Sequence, residues 1–270
     1  MGLLAIIGGS GFQRLPGFQV TEAKPLDTPF GAPSAPLMHG RLAGHPVLFL
    51  PRHGEGHRLP PHRINYRANL WALHAGGAQR VLGLAAVGGI TARFGPRVFA
   101  VPDQLIDYTH GRDQSFSDED AVAVTHVDFT EPYCPALRMD LLRACAAVGV
   151  VAAARATYGV TQGPRLETAA EIGRMERDGC DLVGMTGMPE AVLARELGLR
   201  YASLAFVVNW GAGKGDGAIT MTAIAGHLGF CVEQSGPILA ALVAGPDAPC
   251  DRPPVPRPVN APPSSMLSTS

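Results

Sequence analysis

The sequence predicts an α/β protein: a single-domain mixed β-sheet flanked by helices. Two observations predict it. Short continuous apolar runs at residues 3–7, 47–50 and 81–87 read as strands buried on both faces. Longer stretches with apolar residues at helical spacing lie between such runs, and that alternation implies a largely parallel or mixed sheet covered on both sides. Sheets of this kind bind ligands beyond the carboxyl ends of their strands. The polar and glycine-bearing steps that follow the apolar runs are therefore where chemistry should collect.

The whole chain narrows the function classes. It has 270 residues, 46% hydrophobic and 17% charged, with a formal net charge of −1. That balance offers no broad electrostatic grip on nucleic acid or an anionic membrane, and leaves room for a small anion held by a local cluster of donors. No run of about 18 uninterrupted apolar residues suggests a membrane span. The amino terminus lacks the basic region of a signal peptide. Five cysteines, odd in number and without a CxxC pair, fit reduced thiols and a cytoplasmic location.

In chain order, residues 3–7 form a buried strand that runs into Gly8-Gly9-Ser10-Gly11. This loop suits either a tight turn or an anion cradle, in which backbone N–H groups and the Ser10 hydroxyl would donate. It is not a full dinucleotide fingerprint. Residues 13–45, rich in Pro and Gly, predict loops and short edge strands. The strand at 47–50 delivers Arg52, His53 and His57. These fit an anion site with Arg52 as a bidentate donor, or a solvated loop; a metal site lacks a third ligand at a recognisable spacing.

Residues 62–76 predict a helix ended by Gly76-Gly77, and 81–87 a strand followed by Gly88-Gly89. A strand is expected at 101–108, a polar loop through Asp120, a lone His126, a helix at 137–148 and a strand at 154–161. The polar stretch 160–168 then places Glu167 where a helix over 168–178 begins. A strand at 181–185 delivers Met185 and Thr186, a helix with proline at its start follows at 189–197, and a strand at 201–208 ends at Asn209. Residues 220–244 predict a long apolar helix. From Pro246 the composition turns to Pro, Ser and Asp, so the folded body should end at 245, with 246–270 a disordered tail.

Gly8-Gly9-Ser10-Gly11, Arg52-His53-Gly54, Asn65-Tyr66-Arg67-Ala68-Asn69, Gly163-Pro164-Arg165 and Gly184-Met185-Thr186 with Pro189-Glu190 together resemble the trimeric purine nucleoside phosphorylases. The resemblance is greatest to the branch that acts on methylthioadenosine and methylthioinosine, and it covers residues 3–245. It implies attack of inorganic phosphate on the ribose C1′ with departure of the purine, without metal or organic cofactor, in a homotrimer. It implies that Ser10, Arg52, His53, the backbone near Ala86, and Thr186 hold phosphate. It assigns the base to Leu166, Glu167, Met185, Asn209 and Gly211, and the 5′ group to Ile219 and Met221. His126 would bridge from a neighbouring subunit. Asn209, Glu167 and His53 would be the catalytic groups.

Two departures from the methylthioadenosine enzymes point to the substrate. Those enzymes carry an Asp-x-Asp pair after the last strand, where this chain has Asn209-Trp210-Gly211, and a small residue where it has Glu167. An Asn amide can donate to a six-oxo group, and a carboxylate suits the N1–H of a six-oxopurine. The expected substrate is therefore S-methyl-5′-thioinosine. Inosine or guanosine, and methylthioadenosine, are the alternatives within the class. Ala85 replaces a Thr or Asn of many relatives, and Leu166 replaces a stacking Phe. Outside the class stand a dinucleotide-dependent oxidoreductase built on the 8–11 loop and a non-catalytic nucleoside-binding protein.

Overall fold

A computed structural model describes residues 2–117 and 126–250. Strand β1 (Leu4–Gly8) shows why the apolar runs become strands. Its alternate residues enter opposite cores: Ala5 and Ile7 join one cluster, Leu4 and Ile6 the other. Strands β4 (His45–Pro51) and β5 (Arg80–Gly89) divide their side chains in the same way. One face is covered by α1 (Tyr66–Ala75) and α4 (Gly187–Glu196), the other by α2 (Pro135–Ala147) and α5 (Met221–Ala244). The mixed sheet flanked by helices is thus the observed architecture.

The sheet forks at β5, and the fork makes the site. Strand β11 (Arg200–Trp210) runs parallel to β5 along its whole length and occupies one edge. The other edge is shared. Strand β1 pairs in parallel with residues Arg80 to Gly83, and β10 (Leu182–Gly184) pairs antiparallel with Gly88 and Gly89. Between these ladders Leu84 to Val87 have a strand partner on β11 only. Beyond β1 lie β4, β3 (Leu37–Leu42) and β2 (Phe18–Lys24); beyond β10 lie β9 (Thr157–Val160) and β7 (Gln104–Asp107). The two branches splay apart and leave a gap at the carboxyl ends of β1, β5 and β9.

Several expected elements differ in extent, each for a local reason. The helix expected from 62 starts at Tyr66, because the Asn65 side chain accepts from the Ala68 N–H and caps it there. The strand expected over 101–108 is shortened to β7, which pairs with β9; β6 (Phe99–Ala100), which pairs with β11, lies just ahead of it. Pro102, with no N–H to donate, stands between them. The strand expected over 154–161 is likewise shortened to β9, with the two-residue β8 (Ala152–Ala153) ahead of it. Asn209 lies inside β11 rather than after it. The ladder with β5 shifts register between Val207 and Asn209. This bulge lets both Val208 and Asn209 contribute to the same cavity.

Helix α3 (Ala169–Arg177) begins where expected, closed by a capping box between Thr168 and Glu171. Helix α5 is long and apolar enough to cross a bilayer by length and composition. Here its later turns are core: Cys231, Ile238, Leu239 and Leu242 are buried against the sheet and α2. The tail expected from 246 starts too early. Asp247 accepts hydrogen bonds from the Gly2 N–H and the Arg200 guanidinium, and Ala248 donates to Asp140. Residues 246–250 are therefore fastened under the amino-terminal ends of β5 and β11. The rest of that predicted tail, 251–270, lies outside the described residues, as does the part of the predicted polar loop at 118–120.

Candidate active site

The gap in the sheet is a cavity lined by both branches and by β5 between them. Gly9, Ser10, Arg52 and His53 come from the β1 and β4 side, Leu84 to Gly88 from β5. Leu166, Glu167, Met185 and Thr186 come from the β9 and β10 side, Asn209 from β11, and Ile224 and Leu228 from α5. Nine of the sequence-selected site residues meet here: Ser10, Arg52, His53, Ala86, Leu166, Glu167, Met185, Thr186 and Asn209.

One end is rich in donors. Arg52 is fully buried, and its Nε and Nη2 donate to the two carboxylate oxygens of Glu190, which also accepts from the Tyr201 hydroxyl at 2.8 Å. Arg52 Nη1 donates to Leu84 O at 2.9 Å. The expected bidentate face is therefore taken by Glu190. Of the five guanidinium N–H groups, three are committed, and one remains on each terminal nitrogen. Burial opposes the charge, but the Glu190 carboxylate and its hydrogen bonds outweigh that and hold the guanidinium pKa above its ordinary value. A side-chain carbon at Gly9 would lie 2.7 Å from Arg52 Nη1, so glycine is what lets the 8–11 loop close over this group.

His53 sits beside Arg52 as a neutral ring. Burial, then the Arg52 charge, push its pKa down to about 4. Its Nδ1–H donates to Leu59 O at 2.8 Å, and its ring stacks on His57 with centroids 4.1 Å apart. With the proton on Nδ1, Nε2 is an acceptor. Thr186 is buried just ahead of α4, and its side chain makes no capping hydrogen bond to that helix. The backbone of Leu84 to Val87, with one open edge, forms the floor.

The other end holds a carboxylate and an amide. Glu167 Oε1 accepts from the Thr161 hydroxyl at 2.6 Å, which leaves Oε2 available. One N–H of the Asn209 amide donates to Trp210 O at 2.7 Å; the other N–H and the carbonyl oxygen remain. A side-chain carbon at Gly88 would come within 3.4 Å of the Asn209 amide nitrogen, so the absence of one there gives that amide its room. Leu166, 44% exposed, stands at the mouth and supplies an aliphatic rather than aromatic wall.

Four selected residues are not brought in. Gly211 is buried outside the lining, its N–H bonded to Gly89 O at 2.7 Å; it ties β11 to β5. Met221 is 74% exposed in the first turn of α5, and Ile219 precedes that helix. The apolar groups of α5 that do reach the cavity are Ile224 and Leu228, one turn apart. Their i, i+4 spacing was the available signal. His126 is exposed on this chain, away from the cavity. Glu190 was visible only as part of a motif; nothing local marks a carboxylate in the first turn of α4 as the partner of Arg52. Among the described residues no group of three or more His, Cys, Asp or Glu is placed to hold a metal ion.

A forked α/β sheet with a buried guanidinium and hydroxyl donors at one end of its cavity and a carboxylate–amide pair at the other defines a protein that takes a small anion beside a planar polar group. Comparison with known proteins agrees. The family described as the phosphorylase superfamily matches residues 3–244, and this chain belongs to it. A protein of Xanthomonas campestris pv. campestris named as a probable S-methyl-5′-thioinosine phosphorylase is 58% identical over 243 residues, 90% of this chain and 97% of its own. The 6-oxopurine nucleoside phosphorylase of Pyrococcus furiosus is 44% identical over 80% of this chain and 83% of its own. Among solved structures, the methylthioadenosine phosphorylase of Schistosoma mansoni in complex with adenine superposes with a TM-score of 0.86 at 32% identity. That match covers 90% of this chain and 91% of that one.

Proposed function

We propose that this protein is a pentosyltransferase that cleaves a six-oxopurine nucleoside with inorganic phosphate. S-methyl-5′-thioinosine is its foremost substrate, and hypoxanthine and 5-methylthioribose 1-phosphate are its products. The observation that carries the reading is the pairing of Glu167 and Asn209 at one end of a cavity whose other end holds Arg52, Ser10 and Thr186. The names of the relatives at 55–58% identity support it independently.

Phosphate sits at the donor end. The two remaining Arg52 N–H groups, the Ser10 and Thr186 hydroxyls and the open backbone edge near Ala86 hold it on one face of the ribose. Neutral His53 accepts from a protonated phosphate oxygen, which orients the unprotonated oxygen toward C1′. As the C1′–N9 bond breaks, the sugar becomes oxocarbenium-like and the electron pair passes into the purine. Asn209 donates its free N–H to the six-oxo group, its carbonyl oxygen accepts from N7–H once N7 takes up a proton from solvent to give neutral hypoxanthine, and Glu167 accepts from N1–H. Charge gathers on the purine only as the bond breaks, so the Asn209 contact strengthens in the transition state. The phosphate oxygen then forms the new C1′–O bond. The reaction as written calls for no metal or organic cofactor.

An adenine base presents an unprotonated N1, which cannot donate to Glu167, and an amino group, which meets the free Asn209 N–H as donor against donor. The 5′ methylthio group lies toward Ile224 and Leu228, in place of the expected Ile219 and Met221. A homotrimer, with His126 of one subunit near the site of the next, and a cytoplasmic location complete the proposal. Its test is a product assay. Hypoxanthine should appear from methylthioinosine only when phosphate is present, and in equal amount to the sugar phosphate. Phosphate-independent release would make the protein a hydrolase and defeat the reading.

A further inference from the structure

The β9–β10 side of the cavity is built from two loops, and one side chain outside the cavity ties them together. After β9 the chain continues through Thr161 and Gln162 to Glu167; after β10 it continues through Met185 and Thr186 into α4. The β9–β10 ladder ends at Val160 and Gly184, so the carbonyls beyond it have no strand partner across that ladder. Arg112, on the loop that follows β7, enters this space. Its Nη2 donates to Thr161 O at 3.2 Å and Gln162 O at 2.8 Å, its Nη1 to Met185 O at 2.8 Å and Met188 O at 2.6 Å. Its Nε donates to Gln162 Oε1 at 3.1 Å, Nη1 also reaches the Tyr66 hydroxyl at 3.3 Å, and the guanidinium lies over the Tyr66 ring. All six acceptors are neutral oxygens, four of them main-chain carbonyls.

We propose that Arg112 is a positioning residue that sets the distance between the loop carrying Glu167 and the loop carrying Thr186. The proposal rests on the phosphorolytic reading for its effect on rate. Arg112 does not line the cavity and touches no substrate. It brackets Thr186 between the Met185 and Met188 carbonyls on one terminal nitrogen, and grips the start of the Glu167 loop with the other. Thr161, which it holds by the carbonyl, is the residue that donates to Glu167. A planar fork can span two loops at once; a lysine ammonium is a single point and cannot reproduce both ends. Misplacement of a reacting group by about 1 Å costs on the order of 100-fold in rate.

The test compares Arg112→Lys and Arg112→Ala with the unaltered protein in three measurements. These are steady-state kinetics against methylthioinosine and phosphate, thermal melting, and amide hydrogen exchange over residues 161–168 and 185–190. Arg112→Lys should melt close to the parent, lose about 10–100-fold in kcat/KM, and exchange faster in both segments. Added guanidinium ion should restore part of the activity of Arg112→Ala. A folded Arg112→Lys protein with parental kinetics and parental exchange would overturn the proposal, as would an activity loss that follows only the unfolded fraction. If the unaltered protein proves inactive on nucleosides, the functional reading fails, while hydrogen exchange still decides whether Arg112 clamps the two loops.

Discussion

Removing Glu190 should show that the cavity's cation is a structural element before it is a ligand. Arg52 and Glu190 are each 1% exposed, so Glu190→Ala leaves a guanidinium in the interior without its counter-charge. Breaking a buried pair in this way costs about 3–5 kcal/mol. The Tyr201 hydroxyl also loses its acceptor, which adds about 1 kcal/mol. A total near 4–6 kcal/mol is a large part of the roughly 5–15 kcal/mol by which domains are stable. At about 2–4 °C per kcal/mol for a chain of this size, it lowers Tm by about 8–24 °C. Glu190→Gln keeps an acceptor for Tyr201 and should fall short of this by about 1 kcal/mol. Urea unfolding followed by tryptophan fluorescence gives the free energies. The double variant Arg52→Met with Glu190→Leu separates the two roles, because a buried pair replaced by apolar groups is often neutral in stability. It should fold about as stably as the parent and lose phosphate affinity. Glu190→Ala within 1 kcal/mol of the parent, or a double variant no more stable than the single, would refute the reasoning.

Three further outcomes follow from the same geometry. His53 has a folded pKa of about 4 against an ordinary value near 6.5. The unfolded chain therefore binds a proton there before the folded one does, and stability is lost as pH falls from about 6.5 to 4. Comparing urea midpoints at pH 7.5 and 4.5, His53→Gln should show a smaller drop than the parent. Asp247→Ala should lower stability by about 1–3 kcal/mol in the same unfolding assay, because Asp247 accepts from the Gly2 N–H and from Arg200. Ser10→Ala should raise the KM for phosphate about 10–150-fold while leaving the nucleoside KM within about twofold, since one hydrogen bond to a charged ligand is worth about 1.5–3 kcal/mol.

The fold was legible where burial alone decides local structure. The runs that became β1, β4 and β5 are apolar on both faces, and the caps at Thr168 and Thr220 announce α3 and α5. The site's edges were legible for the same reason: Ser10, Arg52, Thr186 and Asn209 stand where apolar runs turn polar. What could not be read is long-range. Nothing near residue 84 says that β1 and β10 will share one edge of β5 and leave a gap, because that depends on pairings about 75 to 100 positions apart. Glu190 and Arg112 are charged residues in ordinary surroundings; their partners lie 138 and up to 76 positions away. The α5 side chains that line the cavity had a local cue. A helix capped by Thr220 sends Met221 outward in its first turn, and the inward positions are Ile224 and Leu228.

The choice of base rests on Oε2 of Glu167 and the unshared N–H of Asn209. The most direct measurement is the ratio of kcat/KM for S-methyl-5′-thioinosine to that for S-methyl-5′-thioadenosine, two nucleosides that differ only around the six position. Polar mismatch in a site built to hydrogen-bond its substrate discriminates by about 10⁴-fold. A ratio near that size, reduced by Glu167→Ala and by Asn209→Asp, is the result the account predicts. A ratio near one, or one that favours the adenine nucleoside, would contradict it.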